Sequence, residues 1–393
     1  MSKDELGVQE VSPGYEFIAE NPAVPVGYKL TEVGVIPDDW DTKQLNCVCT
    51  MKSGESITSK KISDHALYAC YGGNGLRGFT DRYTHDGDFA LIGRQGALCG
   101  NVVRVKGKFF ASEHAVVVSP NKGIDIKWLA YVLDTMNLNR FSESSAQPGL
   151  SVSKVLLLPL LVPSSQLEQQ AIATALSDVD ALLEELDRLI AKKRDIKQAA
   201  MQQLLTGEIR LPGFEGEWEA RRIGDVLEVR HGRSQKEVET KDGEYPIYAS
   251  GGEIGRANTY LYSKPSVLIG RKGTIDAPRY CDQPFWTVDT LFYTELLDRN
   301  SAKFMYYKFC MIPWRNYNEA SGVPSLSART IENIEIVLPT HEEQEAIAAV
   351  LSDMDTEIQA LEQRRSKTAE LKQGMMQELL TGRTRLVLSL IHI

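Results

Sequence analysis

Two short runs in this 393-residue chain set a basic residue between glycines, directly after an apolar stretch. They are LIGRQG at 91–96 and LIGRKG at 268–273. Glycine lets one backbone, or a phosphate, approach another closely. An arginine at the tip of such a turn can donate to a phosphate or to the O6 and N7 edge of guanine. The same residues also suit a tight structural turn whose arginine pairs with a nearby carboxylate, and the sequence leaves both readings open. Arg94, Gln95, Arg271 and Lys272 are therefore candidate DNA contacts. Chemistry alone extends the set to Arg77, Arg82, Lys106, Lys108 and Arg140 around the first run. Around the second it adds Arg233, Lys236, Arg256, Arg279 and Arg315. Taken singly, each of these reads as an ordinary solvated charge.

Catalytic patterns are missing. GGNGLRGFT at 72–80 has the glycine spacing of a phosphate loop without its lysine, so nucleotide hydrolysis is not indicated. No Asn/Asp-Pro-Pro-aromatic tetrad suggests an amino-methyltransferase. Pro37-Asp38 followed by Asp41-Thr42-Lys43 is too compressed for a nuclease pattern, and the second half of the chain lacks it. The six histidines show no metal-ligand spacing, and His114 aligns with Thr290 in the other half. Cys47 and Cys49 form the one close cysteine pair, and nothing completes a zinc site with them. Free thiols in a cytoplasmic protein are expected, with no metal and no cofactor of the chain's own. The net charge of −9 argues against a generally basic nucleic-acid binder, so DNA contact must come from local clusters or from a partner's charge. No signal peptide or membrane span is expected.

The elements that must position these residues occur twice. Residues 168–211 and 343–386 align without gaps and are identical at 21 of 44 positions, including MQQLLTG against MQELLTG. Upstream, YACYGGNGLRG matches YPIYASGGEIG, GVIPDDW matches GFEGEW, and QPGLS matches VPSLS. Such long-period self-similarity means a duplicated unit. Its helical part is kept alike, whereas the globular heads share only a skeleton of turns and strands. Two similar scaffolds with diverged heads suit a device that reads two different things.

Ile172, Leu176, Val179, Leu183, Leu186 and Ile190 follow a four-three rhythm, as do Ile347, Leu351, Met354, Ile358 and Leu361. That is a coiled-coil seam. Ile196, Ala200 and Leu204 match Leu371, Met375 and Leu379 further along. Each helix should run about 38 residues, roughly 57 Å at about 1.5 Å per residue, with Gly207 and Gly382 able to end them. So narrow a stripe needs one partner, and each copy has the other. The expected fold is α+β: two globular domains separated by two long antiparallel coiled-coil helices, an internal duplication with pseudo-twofold symmetry. Within the heads, 89–93, 115–119, 267–270 and 291–294 read as strands and 126–136 and 303–311 as helices. The runs 155–162 and 331–338 read as terminal strands.

These features together resemble the specificity (S) subunits of type I restriction-modification systems. The carrying motifs are YKLTEVGVIPDDW, LVPSSQLEQQAIATALSDVD with KQAAMQQLLTG, and VLPTHEEQEAIAAVLSDMD with LKQGMMQELLTG, joined by LTGEIRLPGFEGEW. The resemblance covers residues 28–386. It implies a first target recognition domain at 1–163, with an N-terminal extension 1–27, and a first spacer helix at 164–207. A second recognition domain at 208–339, a second spacer helix at 340–382 and a C-terminal tail at 383–393 follow. It further implies a non-catalytic subunit that reads an asymmetric bipartite site in double-stranded DNA. The partners would be two methyltransferase (M) subunits that use S-adenosylmethionine and restriction (R) subunits that use ATP and Mg. The bland rival is a coiled-coil scaffold without DNA readout. The tail LVLSLIHI departs from the LPGFEGEW that follows the first copy.

Overall fold

The computed structural model describes residues 24–96, 98–143, 149–297 and 299–386; most of the N-terminal extension, part of QPGLS and most of the tail lie outside them. Contacts divide the chain into two units. One joins the segment up to 182 with the segment from 368 onward, and the other is 183–367.

In the first unit, Tyr28–Thr31 and Gly34–Pro37 form a hairpin, and Trp40–Gln44 pairs antiparallel with Pro159–Pro163. The head is a six-stranded sheet in the order Cys49–Ser53, Ala115–Pro120, His85–Gly93, Val102–Ala111, Tyr68–Gly72, Gly75–Thr80. The glycine-spaced run 72–80 is thus the Gly73-Asn74 tip and the second strand of a hairpin. One head helix, Ile126–Thr135, starts where the Asp125 carboxylate accepts from the Lys127 and Trp128 amides, the usual N-cap device. It buries Trp128, Leu129 and Leu133 against Ala90, Ile92, Val116 and Val118 of the sheet.

The second unit repeats this order with one break. Leu227–His231, Leu291–Leu296, Ser266–Gly270 and Arg279–Cys281 make a four-stranded sheet, while Gly252–Ala257, Tyr245–Ala249 and Trp286–Thr287 make a separate three-stranded one. The long strand Val102–Ala111 of the first head is here two short strands interrupted around Pro284, which has no amide to give the ladder. The paired bulges at Cys70/Tyr71 and Ile247/Tyr248 confirm the equivalence. The head helix is Ala302–Met311, capped by Ser301.

The runs expected as terminal strands are strands only in their second halves, Pro159–Pro163 and Glu335–Leu338. Val152–Val155 and Ala328–Glu332 before them are helical turns. Ser327 accepts from the Thr330 amide, and such local capping competes with extended backbone.

The long helices are Gln166–Leu204 and His341–Leu379. Each unit holds a part of both, and they run antiparallel there. In the first unit Asp180 meets Lys372 at 2.7 Å while Glu168 meets Arg385. In the second, Asp187 meets Arg365 at 2.9 Å and Lys197 meets Asp355 at 2.5 Å. Ile172, Leu176, Leu186, Ile190, Ile347, Leu351 and Ile358 are buried, and Val179, Leu183, Met354 and Leu361 are half-buried. Ile196 and Leu371 are not part of the seam: they are 44% and 59% exposed. A seven-residue repeat drifts about 20° per heptad on a straight helix. By Lys197 and Lys372 the stripe has rotated, and lysines occupy the inner face instead.

The motif LTG-x-x-R-L closes each unit in the same way. Gly207 and Gly382 end the helices with φ of 77° and 73°, against Trp218 and Trp40 respectively. Arg385 donates to both oxygens of buried Glu168 at 2.6 and 2.9 Å and to both of Asp39 at 2.8 Å. Arg210 grips buried Glu343 at 2.5 and 2.6 Å and the Gly216 carbonyl at 2.6 Å. The last described residues of the chain therefore complete the first unit as the central linker completes the second.

Candidate nucleic-acid interface

At one end of each head, glycines press backbone against backbone and leave polar side chains at the rim. A Cβ on Gly54 would meet the Ala111 carbonyl at 2.1 Å, and one on Gly93 the Gly73 carbonyl at 2.1 Å. Gly232 and Gly270 are equally confined, at 2.0 Å from the Val288 carbonyl and 1.9 Å from the Thr274 carbonyl. No other residue fits there, which explains why the glycines recur in both halves.

The two arginine turns are held by matching backbone bonds. The Arg94 amide donates to the His114 carbonyl at 2.8 Å, and the Leu150 amide to the Arg94 carbonyl at 3.0 Å. Arg271 makes the same two bonds with Thr290 and Leu326, each at 2.9 Å. Gln95 and Lys272 form isolated bridges to Gly149 and Ser325. Main chain and side chain thus have separate tasks. The glycines and these bonds make the turn, while the side chains of Arg94, Gln95 and Lys272 are exposed. Arg94 rests on the Ser53 hydroxyl at 3.1 Å, and Arg271 on the Asp289 carbonyl oxygen at 3.1 Å. Neither arginine side chain is spent on a carboxylate in these bonds.

Around Arg94 the first head gathers Ser53, Gln95, His114 and the hairpin tip at Gly73. Arg77 lies along Gly72. Arg82 pairs with Glu55 at 3.0 Å and covers the Phe110 ring at 4.7 Å. Glu113 contacts His114 at 3.5 Å. Cations and anions are mixed here. Around Arg271 the second head gathers Lys272, Ser250, Arg279 and Arg233. Arg279 donates to the Gly251 carbonyl at 3.3 Å, Gly273 adjoins Ser250, and the Arg233 amide donates to Thr287 at 2.8 Å. Gly54-Glu55 in the first head corresponds to Gly232-Arg233 in the second, an acid replaced by a base. Asp289, beside Arg271, stands where the first head has Glu113, so the exchange at 55 and 233 makes the second end the more cationic.

The remaining candidates lie elsewhere. Lys106 and Lys108 stand opposite Asp88 and Asp86 in the sheet ladder, and Lys108 lies over the Tyr83 ring at 4.9 Å. Arg140 covers the Phe141 ring at 4.7 Å. Lys236 is exposed in the turn before Glu239. Arg256 pairs with Glu253 at 3.1 Å. Arg315 pairs with Asp276 at 2.6 Å and, by donating to it, holds that carboxyl below its usual range. Ser53, His114 and Ser250 were not legible as site residues. Of these only Ser53 lies in the matched SGES and HGRS runs, and no sequence signal marks the others.

Among the described residues no group of His, Cys, Asp and Glu could hold a metal ion, and no helix is long and apolar enough to cross a membrane. His85 stacks on Phe109 at 5.3 Å, and burial pushes its pKa down. All six cysteines are free; Cys49, Cys70, Cys99 and Cys281 are buried, Cys47 and Cys310 exposed.

Each head is also fastened to the helices by repeated polar contacts. The Asp125 amide donates to Gln169 at 2.8 Å and the Ser301 amide to Gln344 at 3.0 Å. Those two side chains in turn donate to the Pro163 and Pro339 carbonyls, both at 3.1 Å. Tyr131 donates to Asp180 at 2.6 Å and Tyr307 to Asp355 at 2.7 Å. Burial first, and the bond to Asp180 second, push the Tyr131 hydroxyl up to about 12; the Tyr307 hydroxyl is pushed up for the same reasons.

Known proteins share this fold. A family model described as the type I restriction modification DNA specificity domain matches the chain twice, at residues 37–193 and 215–372. The EcoprrI type I restriction enzyme specificity subunit of Escherichia coli is 48% identical over 144 residues, which cover 36% of this chain and 36% of that one. The crystal structure of a type I restriction-modification system S subunit from M. genitalium superposes with a TM-score of 0.69 at 18% identity, covering 90% of this chain and 98% of that one. A chain from a structural study of complex assembly in the type I R-M system gives a TM-score of 0.55 at 16% identity, covering 89% and 99%. With the family model spanning most of both units, the chain belongs to the type I restriction-modification DNA specificity family.

Proposed function

We propose that this chain is the DNA-reading subunit of a type I restriction-modification complex, each head recognising one half of an asymmetric, gapped site in double-stranded DNA. One observation carries the reading: the same glycine-built turn is kept in both heads while its polar rim differs, Arg94-Gln95 with Glu55 in one and Arg271-Lys272 with Arg233 in the other. A retained frame with altered hydrogen-bonding groups is what two different half-sites require. Helices of 39 residues span roughly 58 Å at about 1.5 Å per residue, long enough to set half-sites about one helical turn, roughly 34 Å, apart.

The chain itself carries no chemistry in this reading. Two methyltransferase subunits supply S-adenosylmethionine-dependent adenine methylation, and restriction subunits supply ATP- and Mg-dependent translocation and cleavage, in the cytoplasm. The acidic balance fits if those subunits provide much of the phosphate contact. The test is a gel shift with the cognate M subunits on DNA carrying the methylated motif. Arg94→Glu and Arg271→Glu should each weaken the salt-dependent shift. Unchanged binding would remove the two turns from the interface. No shift with any DNA, despite an intact complex, would favour a scaffold without readout.

A further inference from the structure

Each head helix is tied to the long helices at two matched points, to which the second unit alone adds Lys308 on the Leu205 carbonyl at 2.6 Å. The first is its N-terminus, where Gln169 or Gln344 accepts from the cap-residue amide. The second lies six residues on, at Tyr131 or Tyr307. In the first unit Tyr131 donates to Asp180 on the first long helix, and Lys372 on the second long helix sits 2.7 Å from the same carboxylate and 5.5 Å over the Tyr131 ring. In the second unit the helices exchange parts. Tyr307 donates to Asp355 on the second long helix, and Lys197 on the first sits 2.5 Å from that carboxylate and 5.3 Å over the Tyr307 ring. Both lysines are mostly covered, at 22% and 18% side-chain exposure.

The arrangement is more than packing. Burial of apolar surface is non-directional, so the Trp128 and Phe304 contacts hold the head without dictating its angle. Charge-assisted hydrogen bonds are directional. One anchor leaves a pivot; a second, displaced along the same helix, removes the rotation. The carboxylate is in turn fixed by a lysine from the other long helix, so one set ties three elements together.

We propose that Tyr131–Asp180–Lys372 and Tyr307–Asp355–Lys197 are positioning residues that fix the angle at which each head leaves the helix pair, and thereby restrict the spacer lengths at which both half-sites can be read. This rests on the bipartite-site reading above. Loss of the tyrosine hydroxyl leaves the lysine–aspartate pair and the ring packing in place, so the fold survives while the second anchor is lost.

The experiment compares the complex of this chain with its M subunits, wild type against Y131F/Y307F, on DNA whose spacer is native or longer or shorter by one or two base pairs. The wild type should methylate the native spacer with strong preference. The double variant should keep both half-site sequences and lose at least fivefold of that preference. K372Q/K197Q should behave likewise, while K372R/K197R keeps the wild-type profile. A variant profile identical to wild type, or methylation lowered equally at every spacer, overturns the positioning role. Absence of any gapped-site preference in the wild type instead overturns the bipartite reading itself.

Discussion

Arg385 holds Glu168 through two parallel hydrogen bonds across 217 residues of chain. Glu168 is almost wholly buried, and the Trp40 indole donates to it at 3.2 Å. Removing one partner of such a pair strands the other charge, which typically costs about 3–5 kcal/mol. Arg385→Gln should therefore lower the thermal midpoint of the first unit markedly. Glu168→Gln with Arg385→Gln should recover part of the loss, since no buried lone charge remains and Asp39, the other partner, is solvated at 53% side-chain exposure. Thermal unfolding of the two variants measures this; equal losses would mean that the contact is incidental.

The same arginine gives acid sensitivity. Its bond to Asp39 is the main cause of that carboxyl's depressed pKa. A depressed folded value contributes stability that is present above the unfolded value, about 3.9, and is lost as pH falls through the lower folded one. Stability should decline below about pH 4, and Asp39→Asn should flatten that decline. An Asn variant with the wild-type acid profile would contradict it.

Lys308 should make the second unit more stable in alkali. Its ammonium donates to the Leu205 carbonyl at 2.6 Å at the end of the first long helix, and burial lowers its pKa to about 8. The unfolded chain, with lysine near 10.4, then binds more protons between about pH 8 and 10, so stability rises with pH across that window. The cost of the buried charge at neutral pH is on the order of 3 kcal/mol. The aligned residue in the first unit is Val132, so Lys308→Met should be tolerated and should abolish the rise. Denaturant titrations at pH 7, 8 and 9.5 decide this, and a slope that persists in the Met variant would exclude Lys308 as its source.

How far these features were legible in the sequence differs by kind. Leu176 and Leu351 were readable because helical burial repeats locally. Ile196 and Leu371 looked like the same seam and are exposed, because the stripe drifts where no local signal marks it. Arg210 and Arg385 were visible as identities between the halves. Their partners, Glu343 and Glu168, are brought close only by tertiary folding. The turn ends were half legible: the glycine turns announced themselves, whereas Ser53 reaches Arg94 across 41 residues, and Ser250 reaches Gly273 from a separate turn of its own head, only through tertiary folding. The split of the second sheet was hidden in one proline.

The two reading ends should respond differently to salt. Arg271 stands with Lys272, Arg279, Arg233 and Asp289, while Arg94 stands near Glu55 and Glu113, so the two ends differ by the base at 233 in place of the acid at 55. A cation that contacts a phosphate adds about one to the slope of log affinity against log salt. Arg271→Glu should cost about tenfold in affinity and reduce that slope by about one or more. Arg94→Glu should change the slope less and the first half-site preference more. Fluorescence anisotropy of the complex from 50 to 200 mM salt compares them; identical slopes for both variants would refute the asymmetry.

The central claim is that this chain supplies sequence to a methyltransferase. The direct measurement is a methylome, by long-read modification sequencing of a methylation-free host expressing the cognate methyltransferase subunit with and without this chain. The account predicts a gapped, asymmetric, adenine-methylated motif that appears only when the chain is present. A methyltransferase that binds the chain yet yields no such motif, or the same motif without it, would contradict the account.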